Sequence, residues 1–215
     1  MTGTTRRLLL AGTAGGVGTT TVTALLFSQL YASGPAAPTL LDHTAGALGA
    51  RLPDGDQVQK LSDQLLLQDL GPHARHAGVA ELADPNTLLV VVSADTAVGA
   101  ALAREVVEAV YRTHGVTGTA RTAVVLVGVF GRRRVRRRVS ALLTEPAPAG
   151  VVALPADPAL AVGGRIPLSR LSRSTSRSLE PLLHLANAAR RAPSASGHDP
   201  AAGPAQPPPG DQIGG

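Results

Sequence analysis

Residues 12–21 read Gly12-Thr13-Ala14-Gly15-Gly16-Val17-Gly18-Thr19-Thr20-Thr21 and follow directly on the apolar run Leu8-Leu9-Leu10-Ala11. An apolar strand, a glycine-rich turn and a threonine-rich helix start, in that order, form the layout of a phosphate-binding loop. Glycines at 15, 16 and 18 let backbone N–H groups converge on phosphate oxygens, and the following helix adds the positive end of its dipole. The pattern GxxxxGK[ST] carries lysine in its seventh place, where this chain has Thr19. The cradle is kept and the cation is missing. The same glycines would also serve an ordinary tight turn between strand and helix, so the loop alone leaves both readings open.

Working outward, 215 residues suffice for one well-buried domain. The chain is 44% hydrophobic but only 2% aromatic, with Phe27, Tyr31, Tyr111 and Phe130 as its rings. Its core must be built from Ala, Val and Leu, which suits a parallel sheet covered by helices. Scarce aromatics also argue against single-stranded nucleic acid, whose bases need stacking platforms. The net charge is +5, carried almost wholly by arginine, since Lys60 is the only lysine. Without cysteine the chain can form neither disulfides nor thiolate metal sites nor a Cys nucleophile. Arg6-Arg7 ahead of a leucine run, with Ala32-Ser33-Gly34 further on, loosely resembles a twin-arginine export leader. Gly15, Gly16, Gly18 and three successive threonines interrupt that apolar segment, so a cytoplasmic location is expected. No stretch reads as a membrane span: the best candidate, residues 88–103, contains Ser93, Asp95 and Thr96.

Strand and helix signals alternate along the chain. Strands are expected at residues 7–11, 38–42, 64–69, 87–93, 121–130 and 150–155. A helix from Thr19 to Ser33 is stopped at Gly34-Pro35. A second is capped by Asp95, buries Val98, Leu102, Val106, Ala109 and Val110, and is closed by Gly115. A third, arginine-rich helix spans 132–143 and a fourth 168–191, with Pro181 inside it. Residues 43–63 show no clear period, and Pro53-Asp54-Gly55 marks a turn. From Ala192 the composition shifts to Pro, Gly, Ser and Ala, so 1–191 reads as one domain and 192–215 as a disordered tail. The alternation predicts an α/β fold with a doubly wound, mainly parallel sheet and ligands at the carboxyl ends of its strands.

Four features fall at such ends. The first is the glycine loop, with Thr20 where the loop hydroxyl ligates Mg²⁺. Asp42 closes Leu40-Leu41, and Asp69 closes Leu65-Leu66-Leu67-Gln68. An aspartate at the end of an apolar strand in this setting holds Mg²⁺ through water or orients the attacking water; it also serves as a turn cap. The fourth is Leu154-Pro155-Ala156-Asp157-Pro158 after the last strand. His73 and His76 lie in the segment after Asp69, where they are either exposed loop residues or a pH-sensitive element.

Together these residues resemble the MinD/ParA group of P-loop ATPases, the deviant Walker A branch, over roughly residues 5–190. The family loop reads KGGVGKTT, and residues 14–21 read AGGVGTTT. Asp42 matches the aspartate ending the family's second strand, although its frequent second aspartate is Thr44 here. Asp69-Leu70-Gly71-Pro72-His73-Ala74 matches the DxPAG segment loosely, and Pro155-Ala156-Asp157-Pro158 the PxDP-like loop on the adenine side. The resemblance implies ATP held by Ala14, Gly15, Gly16, Val17, Gly18, Thr19, Thr20, Thr21 and Asp157, with Mg²⁺ at Thr20, Asp42 and Asp69.

The departures are specific. The signature lysine is Ala14, the phosphate lysine is Thr19, and Asp42 and Asp69 lie closer together than the family's pattern has them. A hydrogen bond to a charged partner contributes about 1.5–3 kcal/mol, so losing two lysines weakens nucleotide binding by about 3–6 kcal/mol, or roughly 10²–10⁴-fold. Hydrolysis loses more, because the phosphate lysine acts on charge that develops in the transition state. The expectation is a degenerate nucleotide-binding switch or scaffold in positioning, partitioning or secretion-apparatus assembly, paired with itself or another P-loop ATPase. The alternative is a non-catalytic interaction protein with a vestigial loop. Arg132, Arg133, Arg134, Arg136, Arg137 and Arg138 fan around an apolar stripe of Val135, Val139, Leu142 and Leu143. That pattern suits DNA backbone or another anionic surface, and equally a solvated helix face.

Overall fold

The computed structural model describes residues 5–34, 36–52, 61–128, 142 and 144–191. The expected turn at residues 53–55, the arginine run 132–138 and the tail 192–215 lie outside the described residues. Six strands form one sheet: β1 (Arg6–Gly12), β2 (Ala36–Asp42), β3 (Leu61–Asp69), β4 (Thr87–Ala94), β5 (Thr122–Val127) and β6 (Gly150–Leu154). Their order is β2-β3-β1-β4-β5-β6 and every pairing is parallel, as the doubly wound reading expects. From β1 the chain crosses to the edge strand β2, returns to β3 beside β1, and then passes to β4 on the other side of β1 and outward through β5 and β6. The crevice at the carboxyl end of β1 is therefore the switch point of the sheet.

Successive side chains of a strand face opposite ways, and the core divides accordingly. Leu8 and Leu10 of β1 join Val90 and Val92 of β4 on one face, beneath the helices α1 (Thr19–Ser33) and α6 (Arg173–Arg191). Leu9 and Ala11 join Leu89 and Val91 on the other face, beneath α4 (Ala97–Thr119). All eight are at most 1% exposed, so both faces of the sheet are covered. At about 1.5–3 kcal/mol per buried aliphatic side chain, these strands hold the fold without aromatic residues.

Helix α1 contains four threonines and two serines in 15 residues, a weak intrinsic helix former. Tertiary burial holds it: Val22, Ala24, Leu25, Leu26 and Leu30 are fully buried, and the Thr23 and Ser28 hydroxyls donate back to the carbonyls of Thr19 and Ala24.

Three sequence expectations are corrected. Thr96, not Asp95, caps α4: its backbone is extended and its Oγ1 accepts the Gly99 N–H at 2.9 Å. Val98, expected in the core, is 70% exposed, while Gly99, Ala100, Ala103 and Val107 lie inward beside Val106 and Val110. Val106 and Val110 belong to both faces, and the inward face lies about one residue on from the expected one. Gly115 does interrupt α4, with φ 62° and ψ −155°, but a further helical stretch continues to Thr119. The featureless stretch after β2 contains a short helix, α2 (Ala47–Arg51), entered through Gly46 at φ 90°. After β3 a π-helical turn (Ala74–Gly78) leads into a single turn, α3 (Val79–Glu81). After β6 come another short helix, α5 (Pro158–Ala161), and a 3₁₀ turn (Leu168–Arg170). No helix among the described residues is long and apolar enough to cross a membrane.

Candidate functional site

The glycine loop leaves β1 at Gly12 and enters α1 at Gly18. Gly12 donates its N–H to the Gly71 carbonyl at 2.7 Å and Thr13 to the Val92 carbonyl at 2.9 Å, so the loop is tied to β3 and β4 on either side. The Thr13 and Ser93 hydroxyls meet at 2.8 Å, and Ser93 in turn donates to the Gly99 carbonyl. Gly16 and Gly18 have φ of 75° and 93°, the left-handed region where a Cβ is strained. Gly18 caps α1 without a side-chain bond, and the first intrahelical bond runs from Val22 N–H to the Gly18 carbonyl. The amides of the first helical turn thus point out of the helix toward the crevice, which suits an anion.

Ala14, Gly15 and Gly16 are exposed at the tip, and Val17 and Gly18 are half-buried. Thr19 is only 6% exposed and does not reach outward. Its Oγ1 packs so close to Gly12 that a Cβ at that glycine would come within 2.5 Å of it. The position that lacks the lysine is thus filled by a short hydroxyl turned under the loop.

Strand order brings the two aspartates to one side of this loop. Asp69 is in register with Leu10 of β1 and with Asp42 of β2. Neighbouring residues in register share a face of the sheet, here the face under α1. Asp69 is fully buried; its Oδ1 accepts the Gly71 N–H at 2.8 Å, and its Oδ2 has no hydrogen bond of ordinary geometry. Burial raises its pKa and the charge on Asp42 adds to the rise; the Gly71 N–H and the nearby Thr20 and Thr23 hydroxyls oppose it, and the net direction is upward. Asp42 is exposed, and its Oδ1 accepts from both the backbone N–H and the hydroxyl of Thr44. Burial acts to raise its pKa, but the bonds from Thr44 and the Leu48 and Gly46 amides outweigh it and hold it below the usual range. Asp42 thereby anchors the turn into α2.

A buried carboxylate oxygen without a partner, beside a threonine hydroxyl and next to a phosphate-type loop, is a donor set suited to Mg²⁺. Thr20 and Asp69 would hold the ion directly or through water, with Asp42 at the outer edge. When bound, the ion would neutralise phosphate charge. Among the described residues no group of three or more His, Asp or Glu side chains could hold a metal by itself, so such an ion depends on the ligand's own oxygens. His73 and His76 are exposed around the π-helical turn.

On the other side of the loop lies a cavity of about 860 Å³. One wall is the loop with Thr21 and Val22, another is Ala94, Val127 and Gly128 at the ends of β4 and β5, and the third is the stretch from Leu154 to Ala161. Its side chains are almost all apolar, and among the described residues no lysine or arginine lines it. Gly128 passes directly beneath that third wall: a Cβ there would lie 2.6 Å from the Ala156 nitrogen. Asp157 lines the cavity but faces the protein. Its carboxylate accepts from the Thr175 hydroxyl at 2.6 Å, Ser172 N–H at 2.9 Å and Ala159 N–H at 3.0 Å. Burial acts to raise its pKa, and these bonds outweigh it and bring it down.

The sequence reading missed Arg51 at the end of α2. Its guanidinium donates to Thr21 Oγ1 at 2.8 Å and to the carbonyls of Leu160, Val162 and Gly164 at 2.9–3.0 Å. It ties the outer wall of the cavity to the first turn of α1. Helix α2 spans five residues, too few for a periodic pattern to reveal it.

No protein-family model and no curated protein matches the chain. Among solved structures it is similar to a nucleotide-binding protein from Archaeoglobus fulgidus, in complex with ADP and with Co found by PIXE. The identity is 18%, the TM-score 0.51, and the match covers 83% of this chain and 88% of that one. A ParA family ATPase from Chlorobium tepidum is matched at 14% identity over 84% of this chain and 81% of that one, with a TM-score of 0.25. The chain therefore has an α/β fold of the kind found in the Archaeoglobus nucleotide-binding protein, a parallel sheet with helices on both faces and a glycine loop at its switch point.

Proposed function

We propose that the protein binds a nucleoside di- or triphosphate with Mg²⁺ and works as a MinD/ParA-like switch or scaffold with little hydrolysis of its own. The carrying observation is the pairing of two half-sites across one glycine loop. On one side stand buried Asp69 and Thr20; on the other lies an apolar cavity of about 860 Å³, a volume in the range of ligand sites. Phosphates would lie over the amides of residues 15–21, and the base would enter the apolar cavity. Hydrolysis is weak in this reading, because the loop's phosphate lysine is Thr19 and among the described residues no lysine or arginine side chain lines the cavity to meet charge developing in the transition state. A partner of the same fold would supply that charge across a shared interface. The arginines 132–138 would hold DNA backbone or another anionic surface.

Calorimetry with Mg-ATP tests the reading, with the double variant Asp42→Ala, Asp69→Ala as control. Saturable binding that needs magnesium and disappears in the variant supports a nucleotide switch. Absence of binding at millimolar Mg-ATP would overturn it and leave the chain as an interaction protein with a vestigial loop.

A further inference from the structure

The glycine loop has lost its cation, yet a guanidinium sits one hydroxyl away from it. Arg51 approaches from α2, a short helix between the two aspartate strands. Its four hydrogen bonds go to three backbone carbonyls and the Thr21 hydroxyl, all neutral acceptors. No acidic side chain is among its described partners, and burial lowers its pKa. An arginine held by neutral acceptors keeps its full positive charge to act on its surroundings. Thr21 stands in the wall of the cavity. A hydroxyl carries one proton and two lone pairs. With the Arg51 N–H on its oxygen, Thr21 is free to point its proton at a ligand. Arg51 does not itself line the cavity, so its action on a ligand runs through Thr21 and through its field.

Resting on the nucleotide reading above, we propose that Arg51 is the positioning residue that compensates for the lost loop lysine: it orients Thr21 as a donor to the ligand's phosphates and supplies the positive field of the cradle. The charge comes from within the chain, from the connection between β2 and β3 rather than from the loop. Arg51 also holds the wall segment 160–164, so a merely structural role must be separated from this one. The discriminating quantity is the contribution of the phosphates to affinity, obtained by comparing ADP with adenosine on the same protein.

The experiment is calorimetric titration of the full chain with Mg-ADP, and with adenosine by ligand-observed NMR. The proteins are wild type, Arg51→Lys, Arg51→Gln, Thr21→Val and Arg51→Gln with Thr21→Val. Arg51→Gln is expected to weaken ADP by about 10-fold or more, the scale of one charge-assisted interaction, and adenosine by less than about 2-fold. Arg51→Lys should recover part of the loss. Thr21→Val should weaken ADP selectively, and the double variant should lose less than the product of the two single losses, because the residues act in series. Equal losses for ADP and adenosine in Arg51→Gln would overturn the proposal and leave Arg51 as a clamp on the wall. An unchanged ADP affinity in Thr21→Val would overturn the coupling through that hydroxyl. Failure of the wild type to bind ADP would instead remove the nucleotide reading, and this inference with it.

Discussion

Asp157 separates two roles that one residue cannot hold equally, reading the ligand and tying the cavity wall to α6. The structure assigns it to the wall. It is 7% exposed and accepts three hydrogen bonds, from Thr175 Oγ1, Ser172 N–H and Ala159 N–H. In Asp157→Asn one carbonyl oxygen replaces two carboxylate oxygens. At the Oδ2 position the new NH₂ group would face both the Thr175 hydroxyl and the Ser172 N–H, and at the Oδ1 position the Ala159 N–H, so either orientation sets donor on donor. Each hydrogen bond to a charged group contributes about 1.5–3 kcal/mol, and a buried donor left unmet costs about 1–3 kcal/mol, so a total near 3 kcal/mol is expected. For a domain of this size each kcal/mol moves the melting temperature by about 2–4 °C, so the variant should melt roughly 6–12 °C lower. The effect depends on pH in a fixed direction. The folded-state pKa lies below the ordinary 3.8, so the stabilisation is present above that value and lost as pH falls through the folded pKa. Melting curves from pH 7 to pH 3 should show the two proteins converging in acid. An Asp157→Asn protein that melts with wild type at pH 7 while losing nucleotide affinity would refute the wall assignment and make the carboxylate a ligand contact.

Asp69→Asn removes a buried charge whose Oδ2 is unmet. Its raised folded pKa means that ionising it opposes folding as pH rises through that value, so Asp69→Asn should gain about 1 kcal/mol at pH 7 in urea denaturation while losing magnesium-dependent nucleotide binding. A less stable variant would show that the carboxylate is satisfied in the folded protein. Thr19→Lys restores the loop cation and should strengthen Mg-ADP binding by about 10–100-fold in calorimetry; no gain would mean that the loop is not shaped around phosphate. Gly128→Ala forces a methyl against the Ala156 nitrogen and the Leu154 carbonyl, 2.6 and 3.1 Å away. Overpacking against backbone should cost about 1–3 kcal/mol in chemical denaturation, and wild-type stability would show that the wall yields freely.

The run of local signals made the sheet and its loop legible. Leu8–Ala11 and Thr87–Ser93 are continuous apolar segments, as strands covered on both faces must be, and β1 and β4 extend them by one or two residues. Helix α1 begins and ends at the residues its flanking glycines predict. These features depend on neighbours in the chain, and the composition carries them. Asp42, Asp69 and the Asp157 loop were legible as strand ends, because a parallel sheet brings all such ends to one edge.

What each aspartate does there depended on partners far along the chain. Asp157 and Asp69 are read alike from sequence, yet one meets three donors from α5 and the start of α6 while the other keeps a buried oxygen unmet. Arg51 belongs to the same class: the carbonyls it binds lie more than a hundred residues away. The sequence by itself determined the alternation of strand and helix, the glycine loop and the absence of its lysine, because those are matters of side-chain type and spacing. Strand order, the direction in which the pKa values of Asp42, Asp69 and Asp157 move and the arginine at the cradle were decided only by the tertiary structure, because burial and hydrogen bonding are set by groups that the fold alone brings together.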